Sequence, residues 1–183
     1  GDTVAAVGVR AQASGFDSVA FGTLATSGRN AAGASVSSAS AIGVYSAAQG
    51  TGASAIGTGA FVFGNGSGSV AAINPNVARI QGAAKNDTVF SIVGGSENFA
   101  VGNRNLVGGT SSNNVAFGND IKLGASAATF EERTVVQNGV SMRYYVPTFT
   151  DQVAITNSVA IGQSARVGAS NSVAIGQNAS ATA

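Results

Sequence analysis

Small and large apolar residues alternate in short bursts along this chain, and the bursts recur. In Ser18-Val19-Ala20-Phe21-Gly22 and again in Ser158-Val159-Ala160-Ile161-Gly162, an extended strand sends alternate side chains to opposite faces. Ser, Ala and Gly fall on one face, and Val with Phe or Ile on the other. The segment from Ser158 to Ala165 returns fourteen residues later as Ser172 to Ala179, with seven of eight positions matching. The same signature, Ala followed by a large apolar residue and Gly, occurs at Gly8, Gly22, Gly43, Gly57, Gly102, Gly118, Gly162 and Gly176, at intervals of 14, 21, 14, 45, 16, 44 and 14. A repeat this short predicts a stacked solenoid whose turns contact mainly their neighbours.

Three residues after the Gly stands another small residue where the period is clean: Ala11, Ala25, Ser46, Ala60, Ala165 and Ala179. A turn of this length has room for two strands of about five residues and two tight bends, so the coil encloses a narrow slot that suits Ala, Ser and Gly. The large residues Val19, Phe21, Ile42, Ile56, Val101, Phe117, Val159, Ile161, Val173 and Ile175 are therefore expected to point outward as an apolar stripe. A stripe in every turn exceeds what a soluble monomer exposes, and an Ala-filled slot is a poor core, since ordering one residue costs roughly 1 to 2 kcal/mol. Neighbouring chains are expected to cover the stripe, so that fold and oligomer form together.

The pattern divides the chain into a repeat block over residues 1–64, an insertion over 65–97, repeats over 98–118, a hairpin insertion over 119–156 and a final repeat block over 157–183. In the first insertion, Asn65-Gly66-Ser67-Gly68 and Asn74-Pro75-Asn76 signal turns. The stretch from Val77 to Ala84 reads equally as helix or strand, and the stretch from Val89 to Gly94 reads as a strand. Asn98, Asn103, Asn114 and Asn119 are expected at sharp corners, because Asn tolerates left-handed backbone. In the second insertion, Asn138-Gly139 between β-branched and aromatic residues predicts a hairpin, with Pro147 ending it or marking an edge. Arg143, Tyr144 and Tyr145 on that hairpin are expected to brace it against the adjacent chain, a contact patch for a ligand being the other reading.

Composition narrows the chemistry. Gly, Ala and Ser make up 82 of 183 residues, Leu occurs three times, and charged residues are 9%, which excludes a Leu-rich helical core. Hydrophobic residues at 44% and at fixed spacing exclude disorder. A net charge of +1 argues for neither nucleic acid nor an anionic membrane as partner. Cysteine and histidine are both absent, leaving no thiolate nucleophile, no disulfide and neither of the usual transition-metal ligands. Glu131, Glu132 and Asp120 match no calcium-loop spacing and read as a solvated face or as partners of Arg133. The Gly-rich stretch at 64–68 lacks the Lys of a phosphate-binding loop. No catalytic, metal or cofactor site is expected, and no apolar run is long enough to span a bilayer.

The hexapeptide Asn171-Ser172-Val173-Ala174-Ile175-Gly176, with its fourteen-residue period and the small residue three places on, resembles the repeat of YadA-like heads in trimeric autotransporter adhesins of Gram-negative bacteria. The resemblance covers residues 1–64, 98–118 and 157–183. It implies an all-β, left-handed parallel β-roll in a homotrimer, displayed outside the outer membrane through a stalk and anchor not seen in this chain. It also implies adhesion to extracellular matrix proteins, to host cells or between bacteria. An enzyme on a hexapeptide solenoid would show a six-residue period and a His, and an ice-binding solenoid would align its Thr. A structural trimeric fibre or a phage-spike-like solenoid shares the packing demands and is the remaining alternative.

Overall fold

The computed structural model describes residues 3–63, 70–72 (backbone only) and 91–182. All its elements are strands, arranged as two nine-stranded parallel sheets and one antiparallel hairpin. The first sheet contains β1 (Val4–Val7), β3 (Ser18–Phe21), β5 (Ser40–Ile42), β7 (Ser54–Ile56), β9 (Val70–Ala72), β11 (Phe99–Val101), β13 (Val115–Asn119), β17 (Val159–Gln163) and β19 (Val173–Ile175). The second contains β2 (Gln12–Ala13), β4 (Thr26–Ser27), β6 (Ala47–Ala48), β8 (Ala60–Val62), β10 (Ser91–Val93), β12 (Leu106–Val107), β14 (Lys122–Leu123), β18 (Arg166–Val167) and β20 (Ser180–Ala181). The chain alternates between them, so each turn of the coil adds one strand to each sheet. Apart from β13 and β17, which have five residues, the strands of the coil are shorter than the five expected, because two corners take up much of each turn.

The register stacks like on like. One column of the first sheet is Ala in all nine strands: Ala6, Ala20, Ala41, Ala55, Ala71, Ala100, Ala116, Ala160 and Ala174. Among those whose side chains are described, seven of these are at most 3% exposed, from Ala20 to Ala174. This column faces the interior. Across from it the second sheet sends in Val62, Val93, Val107, Leu123 and Val167, with Ile121 and Ile155 at the corners. The expectation of a slot filled only by small residues holds where Ala13, Ser27, Ala48 and Ala181 are the inward residues of the second sheet, and is corrected from β8 to β18. The Ala column sets the first sheet close, and the volume it leaves free is filled from the other side.

The glycines of the repeat signature stack from turn to turn, Gly8 on Gly22, Gly22 on Gly43, Gly43 on Gly57, Gly102 on Gly118, Gly118 on Gly162 and Gly162 on Gly176. Gly118 has φ +145, and a Cβ placed on it would lie 2.0 Å from the carbonyl oxygen of Gly162 in the next turn. The backbone conformation and the stacking distance both exclude a side chain. Two residues further on, Arg10, Leu24, Tyr45, Arg104, Asp120, Ser164 and Asn178 occupy the left-handed region, with φ between 54 and 62°. Asn98 and Asn114, expected at such corners, do something else. Both are buried and build a ladder through the interior: Asn98 Nδ2 donates to the carbonyls of Gly94 and Ser111, and Asn114 Nδ2 to Asn98 Oδ1 and the Ile155 carbonyl. The Ser158 amide donates to Asn114 Oδ1 at 2.9 Å. Asn103 and Asn119 join through a bond from the Asn103 amide to Asn119 Oδ1.

Two insertion boundaries also differ from expectation. Within 65–97, Val70–Ala72 takes a first-sheet place and Ser91–Val93 a second-sheet place, so the coil continues there. At the register position of Ile56 and Val101 this turn carries Ala72, which hides it from a search for a large residue. The stretches 64–69 and 73–90, with the expected turns and the segment from Val77 to Ala84, lie outside the described residues. Within 119–156, β14 and Ile155 belong to the coil. The hairpin proper is β15 (Ala127–Gln137) and β16 (Val140–Thr150), closed by Asn138 and Gly139 with φ 51 and 77°, the two-residue turn that the Asn-Gly pair favours. Pro147 neither ends the strand nor disrupts it; it pairs with Phe130.

Candidate binding surfaces

Two outward faces result, one for each sheet. On the first, the column Val7, Phe21, Ile42, Ile56, Ala72, Val101, Phe117, Ile161 and Ile175 runs the length of the coil, beside a second column that includes Val19, Phe99, Val115, Val159 and Val173. Phe21 is 56% exposed, Phe117 55% and Ile175 65%, while Val101 and Val159 are half-buried by their neighbours. The small-in, large-out division read from the sequence is thus present in the first sheet.

On the second sheet the outward column starts Gln12, Thr26, Ala47, Phe61, Ile92, Leu106. Here the apolar members are fully buried, because the hairpin folds back over them within the same chain. Phe61 stacks on Phe130 of β15 with ring centroids 4.4 Å apart and meets Tyr145 of β16 edge-on at 5.1 Å. Tyr45 and Phe63 complete the cluster. Burial pushes the Tyr145 hydroxyl well above its ordinary pKa, with Tyr45 and Glu132 acting in the same direction.

The free edge of β16 is held by side-chain amides that act as a substitute strand. Gln49 Nε2 donates to the Tyr145 carbonyl at 2.7 Å, and the Tyr145 amide donates back to Gln49 Oε1 at 2.6 Å. Gln12 repeats the arrangement one step along, donating to the Ser141 carbonyl and accepting from the Arg143 amide. Arg143 also donates to the Arg10 carbonyl. Near the tip, the loop following β4 meets the hairpin: Arg29, 4% exposed, donates to the Gly33 carbonyl and to Gln137 Oε1, and Gly33 lies against the Tyr144 ring.

Arg143, Tyr144 and Tyr145 therefore all touch the coil of their own chain. Sequence reasoning missed Gln12, Gln49 and Arg29. The available signal was the 21-residue interval between Gly22 and Gly43, whose seven additional residues form the loop that receives the hairpin tip. Of the three acids singled out, Glu131 pairs with Arg133 at 3.1 Å. Asp120 pairs instead with Arg104, through bonds of 2.6 and 2.5 Å, and this guanidinium holds its carboxyl below the usual carboxylate range. Among the described residues no three acidic side chains converge as a metal site.

A coil of two parallel sheets, with Ala turned inward and Gly stacked at the corner, defines a β-solenoid built from short repeats. Residues 5–25, 37–60 and 156–182 match the model of the YadA head domain repeat, which supports a YadA-like head domain. No curated protein and no solved structure matches the chain.

Proposed function

We propose that this chain is a non-enzymatic adhesive head displayed at a bacterial cell surface. Three copies pack side by side through the first-sheet face and present their hairpin-covered faces outward. The observation that carries this reading is the uncovered column from Val7 to Ile175 beside a second sheet whose apolar residues are already buried. Its ligand is an extracellular matrix protein, a host cell surface or another bacterial cell, engaged by many weak contacts at once.

Sedimentation equilibrium is expected to give a trimer for the native chain, and Ile161→Asp to give a smaller species with the β-sheet circular dichroism retained. A folded native monomer overturns the trimer. Adhesion is tested with the trimer against purified matrix proteins, host cells and bacterial cells. A structural fibre is the second reading, favoured by the fact that packing alone accounts for the Ala and Gly columns. A stable trimer that binds none of the three targets decides for it.

A further inference from the structure

The hairpin covers the second sheet in one direction only. It leaves the coil after β14 and runs back toward β2, so β18 and β20, on the other side of its foot, stay uncovered. Between the foot and these strands lies an open groove of about 230 Å³, lined on its apolar side by exposed Val153 and by Ala125. The outward column changes character at this point. After Leu106 come Lys122 and Arg166, directly opposite each other on adjacent rungs, and both line the groove.

Like charges facing each other across a strand pair destabilise a sheet, and this chain has only nine Lys and Arg in 183 residues. Neighbouring rungs are about 4.8 Å apart, close enough for one anionic group to meet both side chains. Lys122 is oriented by a bond from its Nζ to the Ser126 carbonyl. The one carboxylate lining the groove, Asp151, accepts from Ser126 Oγ at 2.6 Å, which leaves the lining with a net single positive charge. Arg166 is exposed and has no ion pair among the described residues. The apolar walls are more than an inorganic anion requires. The volume is below the ~300 Å³ at which pockets for larger organic ligands begin, which suits a single ring.

We infer that this groove is a subsite for an acidic glycan: the carboxylate or sulfate of one sugar unit meets Lys122 and Arg166, and the ring lies against Val153. The inference rests on the adhesin reading only for where the glycan is encountered. Calorimetric titration of the full chain with a heparin hexasaccharide and a hyaluronan hexasaccharide tests it, with neutral chitohexaose as control. At least one acidic glycan is expected to bind, more weakly as salt is raised, and the neutral one is not; the responding acidic glycan tells sulfate from carboxylate.

Arg166→Glu is expected to weaken binding by about tenfold or more, and Arg133→Glu, which makes the same change of net charge on the hairpin, by less than about twofold. Circular dichroism checks that both variants are folded, and Arg166→Ala is expected to fall between native and Arg166→Glu. Absence of binding by both acidic glycans, equal binding of the neutral one, or equal losses in Arg166→Glu and Arg133→Glu overturns the inference. Adhesion of the native trimer to matrix and cells is scored separately, so failure of the adhesin reading leaves this result distinguishable.

Discussion

The two sheets of this coil share one period and one interior, yet their outward faces are opposites. On the first sheet Phe21, Phe117, Ile161 and Ile175 stand in solvent; on the second Phe61, Ile92 and Leu106 are fully buried under the hairpin. Burying such a side chain is worth about 1.5 to 3 kcal/mol. The second sheet gains this within one chain, and the first gains it only when something else arrives. The comparison separates what stabilises a turn from what recruits a partner, although the two are written in the same residue types.

Phe61 and Phe117 test the contrast most strongly. Phe61→Ala removes the centre of the aromatic cluster and is expected to cost about 3 to 5 kcal/mol in denaturant unfolding. Phe117→Ala is expected to leave the fold of a single chain nearly unchanged and to weaken self-association in sedimentation. Equal destabilisation by the two would mean that the hairpin does not bury its face in solution.

The amide clamps come next. Gln49→Ala strands the amide and carbonyl of buried Tyr145 and is expected to cost about 1 to 3 kcal/mol, with less for the more exposed Gln12→Ala. A null result for Gln49→Ala, read by thermal melting, would show that packing alone holds the hairpin.

The smallest effect lies at the corners, away from both faces. The Asp120 carboxyl is lowered by its hydrogen bonds from Arg104, so its contribution is present above the ordinary carboxylate pKa and is lost as the pH falls through the lowered value. Both side chains are partly exposed, and Asp120→Asn is expected to cost under about 1 kcal/mol at neutral pH and progressively less as the carboxylate is protonated in acid. A larger loss, or one that persists in acid, would give Asp120 a role beyond this pair.

Much of the coil was legible because its constraints are local and recur. Gly at 22, 118 or 162 answers a positive φ and a stacking distance that return from turn to turn, and Ala at 20, 116 or 160 answers a fixed approach of two sheets. The turn at Val70–Ala72 escaped because its large position holds Ala, which carries no apolar signal. The hairpin was visible in Asn138-Gly139, but its destination was not, since Gln49 and Tyr145 are 96 residues apart and nothing in either residue names the other. The dual use of Asn also escaped: the same residue type that tolerates a left-handed corner at Asn113 serves as a buried ladder at Asn114, and only position decides which.

By itself, then, the sequence determined the period, the inward and outward sides of the first sheet, and the presence of a hairpin, all of which follow from neighbours along the strand. Only the tertiary structure decided that the second sheet is covered from within its own chain, that its inward residues are large from β8 to β18, and that Lys122 and Arg166 share one groove. Those outcomes depend on which distant segments meet, and the free energy of meeting is shared among residues that carry no mark of it singly.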